Sequence, residues 1–221
     1  MRKATRDLLE GRSALAENEV KDLLREYHIP TTNYKIVSGH GGIAGIGLNY
    51  PLVMKVCSEK ILHKTDVGGV VLGIRDETEL ATRIAEFNAK FPGENILVEE
   101  MMPRGTELIM GLIRDPTFGL SIMVGVGGIF TELYKDVTFR MVPITRQDAV
   151  EMLEELKGRK LLEGFRNIKT DREAVIDLLF QISKMGEEMG DKLASMDLNP
   201  VFVYEKGLSV VDAKLLLNGG A

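Results

Sequence analysis

The chain has 221 residues, 44% of them hydrophobic and 28% charged, a composition typical of folded globular proteins. Its net charge of −5, without a long lysine or arginine cluster, argues against a nucleic-acid partner. The longest uncharged run, between Asp115 and Glu132, contains glycines and is shorter than the roughly 18 apolar residues of a membrane-spanning helix, so no membrane partner is expected. No signal peptide is visible and the single Cys57 excludes an internal disulfide, so we expect a cytoplasmic protein.

The first predicted elements are a helix and a strand. Apolar residues recur at the spacing of one helical face, at Val20, Leu23, Leu24 and Tyr27. Pro30 is expected to end this helix. Residues 33–37 (NYKIV) then alternate between apolar and polar as a strand does.

A glycine-rich segment, SGHGGIAGIG at positions 38–47, follows this strand. Its GHGGIA stretch nearly matches the dinucleotide-binding fingerprint. That site needs a helix whose N-terminus binds the pyrophosphate, whereas here the glycines continue almost to NYP at 49–51. We therefore predict a flexible loop rather than an NAD site.

The stretch around Lys55 is the most informative part of the chain. PLVMKV (51–56) places Lys55 in a short apolar strand, and DVGG (66–69) opens a second strand after a loop that carries His63. A lysine ammonium and glycine backbone N–H groups are what phosphate binding uses. The alternative is a lysine that reaches the surface from its strand, beside a surface histidine and a glycine bulge.

The remainder of the chain mixes helices with antiparallel strands. A helix begins near Asp76, and capping patterns at Thr145 (T-x-x-D) and Thr170 (T-x-x-E) predict two further helix starts. Predicted strands cover residues 95–102, 106–113, 120–126, a run through Tyr134, 139–144, 195–204 and 208–215. The fold class is therefore α+β rather than a doubly wound sheet.

One strand end offers a place for a nucleotide, although the G-x-x-x-x-G-K-[ST] pattern of P-loop proteins is absent. The strand LVEEMM ends at Glu99, Glu100 and Met101. Its backbone could meet an adenine edge while a carboxylate accepts hydrogen bonds from ribose hydroxyls. The alternative is an acidic strand end that is only solvated.

The C-terminal hairpin offers a place for a metal ion. DLNP at 197–200 lies on one arm and VDAK at 211–214 on the other. A four-residue turn sets Asn199 opposite Asp212, whereas a three-residue turn points them to opposite faces unless a bulge intervenes, and Pro200 favours a bulge. Oxygen donors on adjacent strands can share Mg²⁺. The alternative is a polar hairpin at a sheet edge.

Several segments occur in the order and spacing of one known family: LLREYHIP, PLVMKV, ILHKTDVGGV, LVEEMMPRGTELIMGLIRDPTFG, GVGGIFTELYKDVTFRMVP, MDLNPVFV and VVDAK. Over residues 15–217 the chain resembles the ATP-grasp (beta) subunit of ADP-forming acyl-CoA synthetases of the acetate–CoA ligase type, which are related to the succinyl-CoA synthetase beta subunit. The resemblance implies an ATP-grasp fold of two α+β subdomains, 1–102 and 103–221, with the nucleotide bound between them. The glycine-rich segment departs from the family, whose members usually carry an amphipathic helix there.

The resemblance also implies roles for eight residues. Lys55 would reach the nucleotide phosphates, and Glu107 would lie near the nucleotide. The strand end would receive adenine and ribose at Glu99, Glu100 and Met101. Asn199 and Asp212 would bind Mg²⁺, and His63 would be a second carrier of the phosphoryl group. Neutral imidazole suits this step because it is nucleophilic at physiological pH and its phosphoramidate can pass the group on.

By this resemblance the chain is the nucleotide-binding subunit of an enzyme that converts acyl-CoA, ADP and phosphate to a free acid, ATP and CoA. The cofactors implied are ATP or ADP and Mg²⁺. The implied partner is a CoA-binding alpha subunit that supplies a phosphohistidine, in an α2β2 assembly. Two alternatives stay open at this point, a self-contained ATP-grasp carboxylate ligase and a non-catalytic nucleotide-sensing subunit.

Overall fold

The computed structural model describes residues 7, 9–38, 46–61, 63–128, 135–165 and 168–219. Most of the glycine-rich segment, His40 within it, and the predicted strand run through Tyr134 lie outside these ranges. Within them the strands are β1 (Ala14–Leu15), β2 (Tyr34–Val37), β3 (Leu52–Cys57), β4 (Val70–Ile74), β5 (Asn95–Glu100), β6 (Thr106–Asp115), β7 (Gly119–Val126), β8 (Val137–Met141), β9 (Leu193–Val203), β10 (Leu208–Val210) and β11 (Ala213–Leu217). The helices are α1 (Glu17–Glu26), α2 (Glu77–Lys90), α3 (Arg146–Glu155) and α4 (Arg172–Met189), with short 3-10 turns at Arg159–Leu161 and Gly190–Lys192.

The chain divides into two compact units. Unit 1 contains Met1–Leu15, Val20–Thr31 and Arg104–Ala221, and unit 2 contains Ala16–Glu19 and Thr32–Pro103. The division expected from the sequence, between 102 and 103, differs from this grouping in the first 31 residues. Of these, the residues up to Leu15 and Val20–Thr31 join unit 1, because β1 pairs with β11 and the apolar side of α1 belongs to the core of unit 1.

Unit 2 is built on an antiparallel sheet in which the described strands follow the order β2-β5-β3-β4. Helix α2 begins where the Asp76 side chain accepts a hydrogen bond from the Glu79 backbone, as a favourable N-cap does. Its residues Leu80, Ile84 and Phe87 pack on one face of the sheet. Burial of each such side chain contributes about 1.5–3 kcal/mol to the stability of the fold. The contacts on this face therefore hold α2 against the sheet.

Strand β3 is buried along its whole length. Because side chains alternate along a strand, Leu52, Met54 and Val56 join the core beneath α2, and Lys55 points to the other face. Glu99 on the neighbouring β5 lies on that second face as well, since Ile96 and Val98 belong to the same core. The period of the strands therefore brings a lysine and a glutamate together on the side away from α2.

Unit 1 is built on a second antiparallel sheet, in which the described strands follow the order β1-β11-β9-β6-β7-β8 and β10 pairs with β9. Its core combines apolar side chains from α1, α3 and α4 with those of the strands. One face of β6 belongs to this core, since Leu108, Met110 and Leu112 are buried. Within the described ranges, no helix has the combined length and hydropathy that a bilayer crossing requires.

The two predicted helix starts in unit 1 differ in outcome. Helix α3 begins with a complete capping box. The Thr145 side chain accepts a hydrogen bond from the Asp148 backbone N–H, and the Asp148 side chain accepts one from the Thr145 backbone N–H. Helix α4 is capped one residue later than predicted, because Asp171 accepts the hydrogen bond from the Ala174 backbone. The Thr170 hydroxyl donates instead to the carbonyl of Leu162.

Candidate functional site

Lys55 lies at the centre of a buried group of charges in unit 2. Its Nζ is 2.7 Å from Oε1 of Glu17 and 2.8 Å from Oε1 of Glu99. The Lys55 side chain is only 5% exposed. An ammonium in such surroundings is costly unless carboxylates accompany it. The reading in which Lys55 simply extends to the surface from its strand is therefore wrong.

Glu99 is engaged through both of its oxygens. Oε1 is paired with Lys55, and Oε2 accepts a hydrogen bond from the hydroxyl of Thr32. The side chain is 1% exposed. In this arrangement Glu99 orients Lys55 and is turned away from solvent. A carboxylate that accepts hydrogen bonds from ribose would make different contacts.

His63 is exposed, on the loop between β3 and β4. The next residue, Lys64, has its Nζ 2.7 Å from Oε2 of Glu17. Its carbonyl accepts a hydrogen bond of 2.7 Å from the Gly69 backbone, and the Gly69 carbonyl accepts one of 2.8 Å from Val56. A Cβ at position 69 would lie 2.6 Å from a methyl carbon of Val56, so glycine is required where this turn closes.

The strand end at Glu100 and Met101 is held by neighbouring segments of unit 2. The Glu100 carboxylate accepts hydrogen bonds from the backbone and side chain of Asn49 and from the side chain of Asn33. These bonds, led by that of the Asn49 backbone, hold the pKa of Glu100 below its ordinary value. The Met101 backbone N–H donates to the carbonyl of Pro51 at 2.9 Å. An adenine edge would thus meet other groups of this strand end than the Met101 N–H.

Glu107 lines an open cavity of about 800 Å³ in unit 1. The carbonyl of Glu107 accepts a hydrogen bond of 2.7 Å from Gly127. A Cβ at Gly127 would lie 2.9 Å from that of Glu107, so the glycine permits the close approach of the two strands. Lys169 and Tyr204 line the same cavity.

Asn199 and Asp212 lie opposite each other on the C-terminal hairpin. Val203 pairs with Leu208 across a four-residue turn, and the Asn199 backbone donates to the Asp212 carbonyl at 3.1 Å. The predicted register of the four-residue turn is confirmed. The bulge expected between the two arms at Pro200 is not observed, because their pairing keeps one register from Val203/Leu208 to Leu198/Ala213. A shift near Pro200 lies instead in the pairing of β9 with β6, between Leu108 and Met110.

The donors on this hairpin fit a hard divalent cation. Asp197 precedes Asn199 by two residues and shares its strand face, away from the buried Leu198 and Ala213. Desolvation and then the nearby carboxylate of Asp212 raise the pKa of Asp197. Carboxylate and amide oxygens are the ligands that Mg²⁺ accepts, together with phosphates and water. Among the described residues no group of three or more His, Cys, Asp or Glu side chains is clustered to hold a metal ion.

Glu17, Lys64 and Asp197 are the residues that the sequence did not single out. Asp197 could have been found from strand periodicity, because it lies two positions before Asn199. Glu17 gives no such signal, since its contacts with positions 55 and 64 depend on how the first turn of α1 meets the sheet. Of the eight predicted residues, the structure brings Lys55 and Glu99 into contact and sets Asn199 beside Asp212.

The chain is similar in sequence to a protein family and to several relatives, and in structure to a solved protein. Residues 6–217 match the family of the ATP-grasp domain. The chain is 39% identical over 96% of its length to ADP-forming acetate–CoA ligase II subunit beta of Pyrococcus furiosus, 95% of which it covers. It is 40% identical over 92% of its length to ADP-forming acetate–CoA ligase II of Archaeoglobus fulgidus, but spans only 30% of that protein. Acetyl-coenzyme A synthetase 1 of Ca. Korarchaeum cryptofilum, solved with coenzyme A and Mg-AMPPCP, has a TM-score of 0.82 and 41% identity over 94% of both chains.

These similarities confirm the expected ATP-grasp fold. They extend over both units, because the matched residues run from the N-terminal segment to the end of β11. The Pyrococcus protein is matched over almost its whole length. The chain therefore belongs to the ATP-grasp family and, within it, to the family of the Pyrococcus protein named ADP-forming acetate–CoA ligase II subunit beta.

Proposed function

We propose that this chain is the nucleotide-binding subunit of an ADP-forming acyl-CoA synthetase, an acid–thiol ligase. The reaction converts acyl-CoA, ADP and phosphate to a free acid, ATP and CoA, and it is reversible. Family membership supports this, as does the Korarchaeum structure, described as having a phosphohistidine segment that points towards the nucleotide-binding site. The observation that carries the proposal is exposed His63, one residue from a lysine that shares a carboxylate with Lys55.

In this function His63 is the phosphoryl carrier. A neutral imidazole nitrogen attacks the phosphorus of a phosphohistidine, so that one P–N bond breaks as another forms. In the second step an oxygen of the ADP β-phosphate attacks, the new P–N bond breaks, and ATP forms. The His63 side chain is exposed, so its imidazole is accessible to a phosphohistidine supplied by a partner.

The nucleotide is the substrate of this step, and we assign its contacts to Lys55, to the strand end at Glu100 and Met101, and to Glu107, with Glu99 acting through Lys55. Lys55 would act on the phosphates by charge, since positioning and electrostatics supply most of the catalysis in phosphoryl transfer. Asn199 and Asp212, with Asp197 beside them, would hold Mg²⁺, which screens charge on nucleotide phosphates when it is bound.

The proposed partner is a CoA-binding alpha subunit that supplies the phosphohistidine, in an α2β2 assembly. The word "subunit" in the name of the Pyrococcus relative supports a partner chain, and so does the greater length of the Archaeoglobus protein, of which this chain spans 30%. Co-purification from the native host, followed by mass measurement of the complex, tests the assembly.

The test of the proposed function is His63→Ala in the complex with its native partner. We expect Mg-ADP affinity to change by less than about 5-fold, because an exposed side chain contributes little to binding. The rate of ATP formation from acyl-CoA, ADP and phosphate should fall by roughly 1,000-fold or more, as when a nucleophile is removed. Binding is followed by titration calorimetry and transfer by radiolabelled phosphate appearing in ATP.

His28→Asn is the control, since His28 is also exposed but lies in unit 1 at the end of α1. It should keep full turnover. Full turnover in His63→Ala would remove His63 from the reaction and favour a non-catalytic role for the chain. Activity of the isolated chain with an acid and an amine or thiol acceptor would favour a self-contained ligase.

A further inference from the structure

Glu17 joins two lysines through one carboxylate. Its Oε1 and Oε2 are each 2.7 Å from a lysine nitrogen, that of Lys55 and that of Lys64. The Glu17 side chain is 2% exposed, and that of Lys64 is 12% exposed. Both pairs are thus largely shielded from water, and removing one partner of such a pair leaves a buried charge without compensation.

The carboxylate is held at its place by secondary structure. Glu17 is the first residue of α1, whose first turn belongs to unit 2. The next residue is fixed as well, since the Asn18 side chain accepts a hydrogen bond from Cys57 and its carbonyl accepts one from Tyr34. The first turn of α1 is therefore anchored to β2 and β3, and it presents Glu17 to Lys55 from a fixed position.

On its other side Glu17 fixes the loop that carries His63. Lys64 follows His63 directly, and its carbonyl closes the turn to Gly69. The loop is also held from α2, because Lys90 Nζ donates to the Gly68 carbonyl at 3.3 Å. The Glu17 carboxylate adds a side-chain tie one residue away from the imidazole.

We propose that Glu17 is a positioning residue, which sets the loop of His63 relative to the lysine assigned to the nucleotide phosphates. This rests on the proposed function, in which a phosphoryl group passes between His63 and a nucleotide near Lys55. Glu17 touches neither reacting atom. It acts through Lys55 and Lys64, whose ammonium groups it spaces by the width of one carboxylate.

The test is Glu17→Gln in the complex with its native partner. A glutamine keeps the shape of the side chain but has one acceptor oxygen and one amide donor group. The side chain at position 17 can then accept from at most one of the two lysines. The rate at which label from γ-³²P-ATP reaches His63 in a single turnover should fall by about 100-fold, the scale of an ångström-sized misplacement. The affinity for Mg-ADP should change by less than roughly 10-fold, because Lys55 keeps its pair with Glu99.

Three further variants separate positioning from general stability. Glu79→Gln is the matched control, since Glu79 also lies in the first turn of a helix of unit 2 and accepts a backbone hydrogen bond; it should label His63 at the wild-type rate. Glu17→Asp keeps the charge with a shorter reach and should recover part of the labelling rate. If Glu17→Gln does not fold, Lys64→Met breaks the same tie from the other side and should give the same loss.

Hydrogen exchange gives a readout that needs no activity. The backbone amides of Gly68 and Gly69 are hydrogen bonded within the loop, and they should exchange faster in Glu17→Gln but not in Glu79→Gln. Wild-type labelling in Glu17→Gln, or unchanged exchange of these amides, would overturn the positioning role and leave the proposed function standing. A wild-type complex that puts no label on His63 would instead overturn the proposed function, and exchange would still decide whether Glu17 fixes the loop.

Discussion

Lys55 shows how a single charged residue can occupy an otherwise apolar strand. The other five residues of β3 are buried side chains without charge. Moving an ammonium into such surroundings costs several kcal/mol unless opposite charges come with it. Glu17 and Glu99 supply those charges from two separate segments of unit 2.

We expect Lys55→Met to destabilise the protein although it introduces an apolar residue. It leaves two buried carboxylates without their shared partner, which should lower the free energy of unfolding by about 3–5 kcal/mol. The measurement is urea denaturation followed by circular dichroism. Lys35→Met on β2, where the lysine is exposed, is the control and should change this free energy by less than about 0.5 kcal/mol. A loss below 1 kcal/mol in Lys55→Met, by the same estimate, would mean that the charges are not coupled.

Glu100 predicts a pH dependence of stability. Its pKa is lowered in the folded protein by the Asn49 and Asn33 hydrogen bonds, so the ionised form favours the folded state. This contribution is present above the ordinary pKa of 4.5 and is lost as the pH falls through the lower folded value. The difference in melting temperature between wild type and Glu100→Gln should therefore be largest near neutral pH and shrink in acid. The exposed Glu77→Gln is the control; a difference that is constant with pH would contradict this account.

At the scale of elements, the C-terminal hairpin shows that register determines chemistry. A shift by one residue would exchange the buried and exposed faces of β9. The observed register buries Leu198 and Ala213 and leaves Asp197, Asn199 and Asp212 on the opposite face. The four-residue turn that joins the arms thus sets which oxygens lie together.

We expect Asp212→Ala to weaken Mg-ADP binding by about 10-fold or more, because it removes a carboxylate from the proposed metal ligands. The effect should disappear when ADP is titrated in EDTA, since it acts through the cation. Titration calorimetry of the complex measures both conditions. Asp191→Ala, at an exposed aspartate just before β9, should bind as the wild type does. Equal affinities of wild type and Asp212→Ala in Mg²⁺ would refute the metal assignment.

At the scale of the whole molecule, the elements were predictable but their grouping was not. Periodicity and capping patterns located α1, β3 and the hairpin because these depend on residues a few positions apart. The joining of residues 1–15 to unit 1 could not be predicted in this way, since it depends on pairing between β1 and β11 at opposite ends of the chain. The same reason hides Glu17 from sequence analysis, whereas Lys55 and Asp212 lie in motifs that resemble a known family.

The division of α1 between the two units has a practical consequence for producing fragments of the protein. A fragment that ends at Pro103 would keep Glu17 but would carry the apolar stripe of α1 without the core that covers it. A fragment that starts at Arg104 would lose the same stripe, leaving its own core open to water. No single cut therefore yields two self-sufficient pieces, and expression of either unit alone would require grafting the helix or replacing its buried leucines.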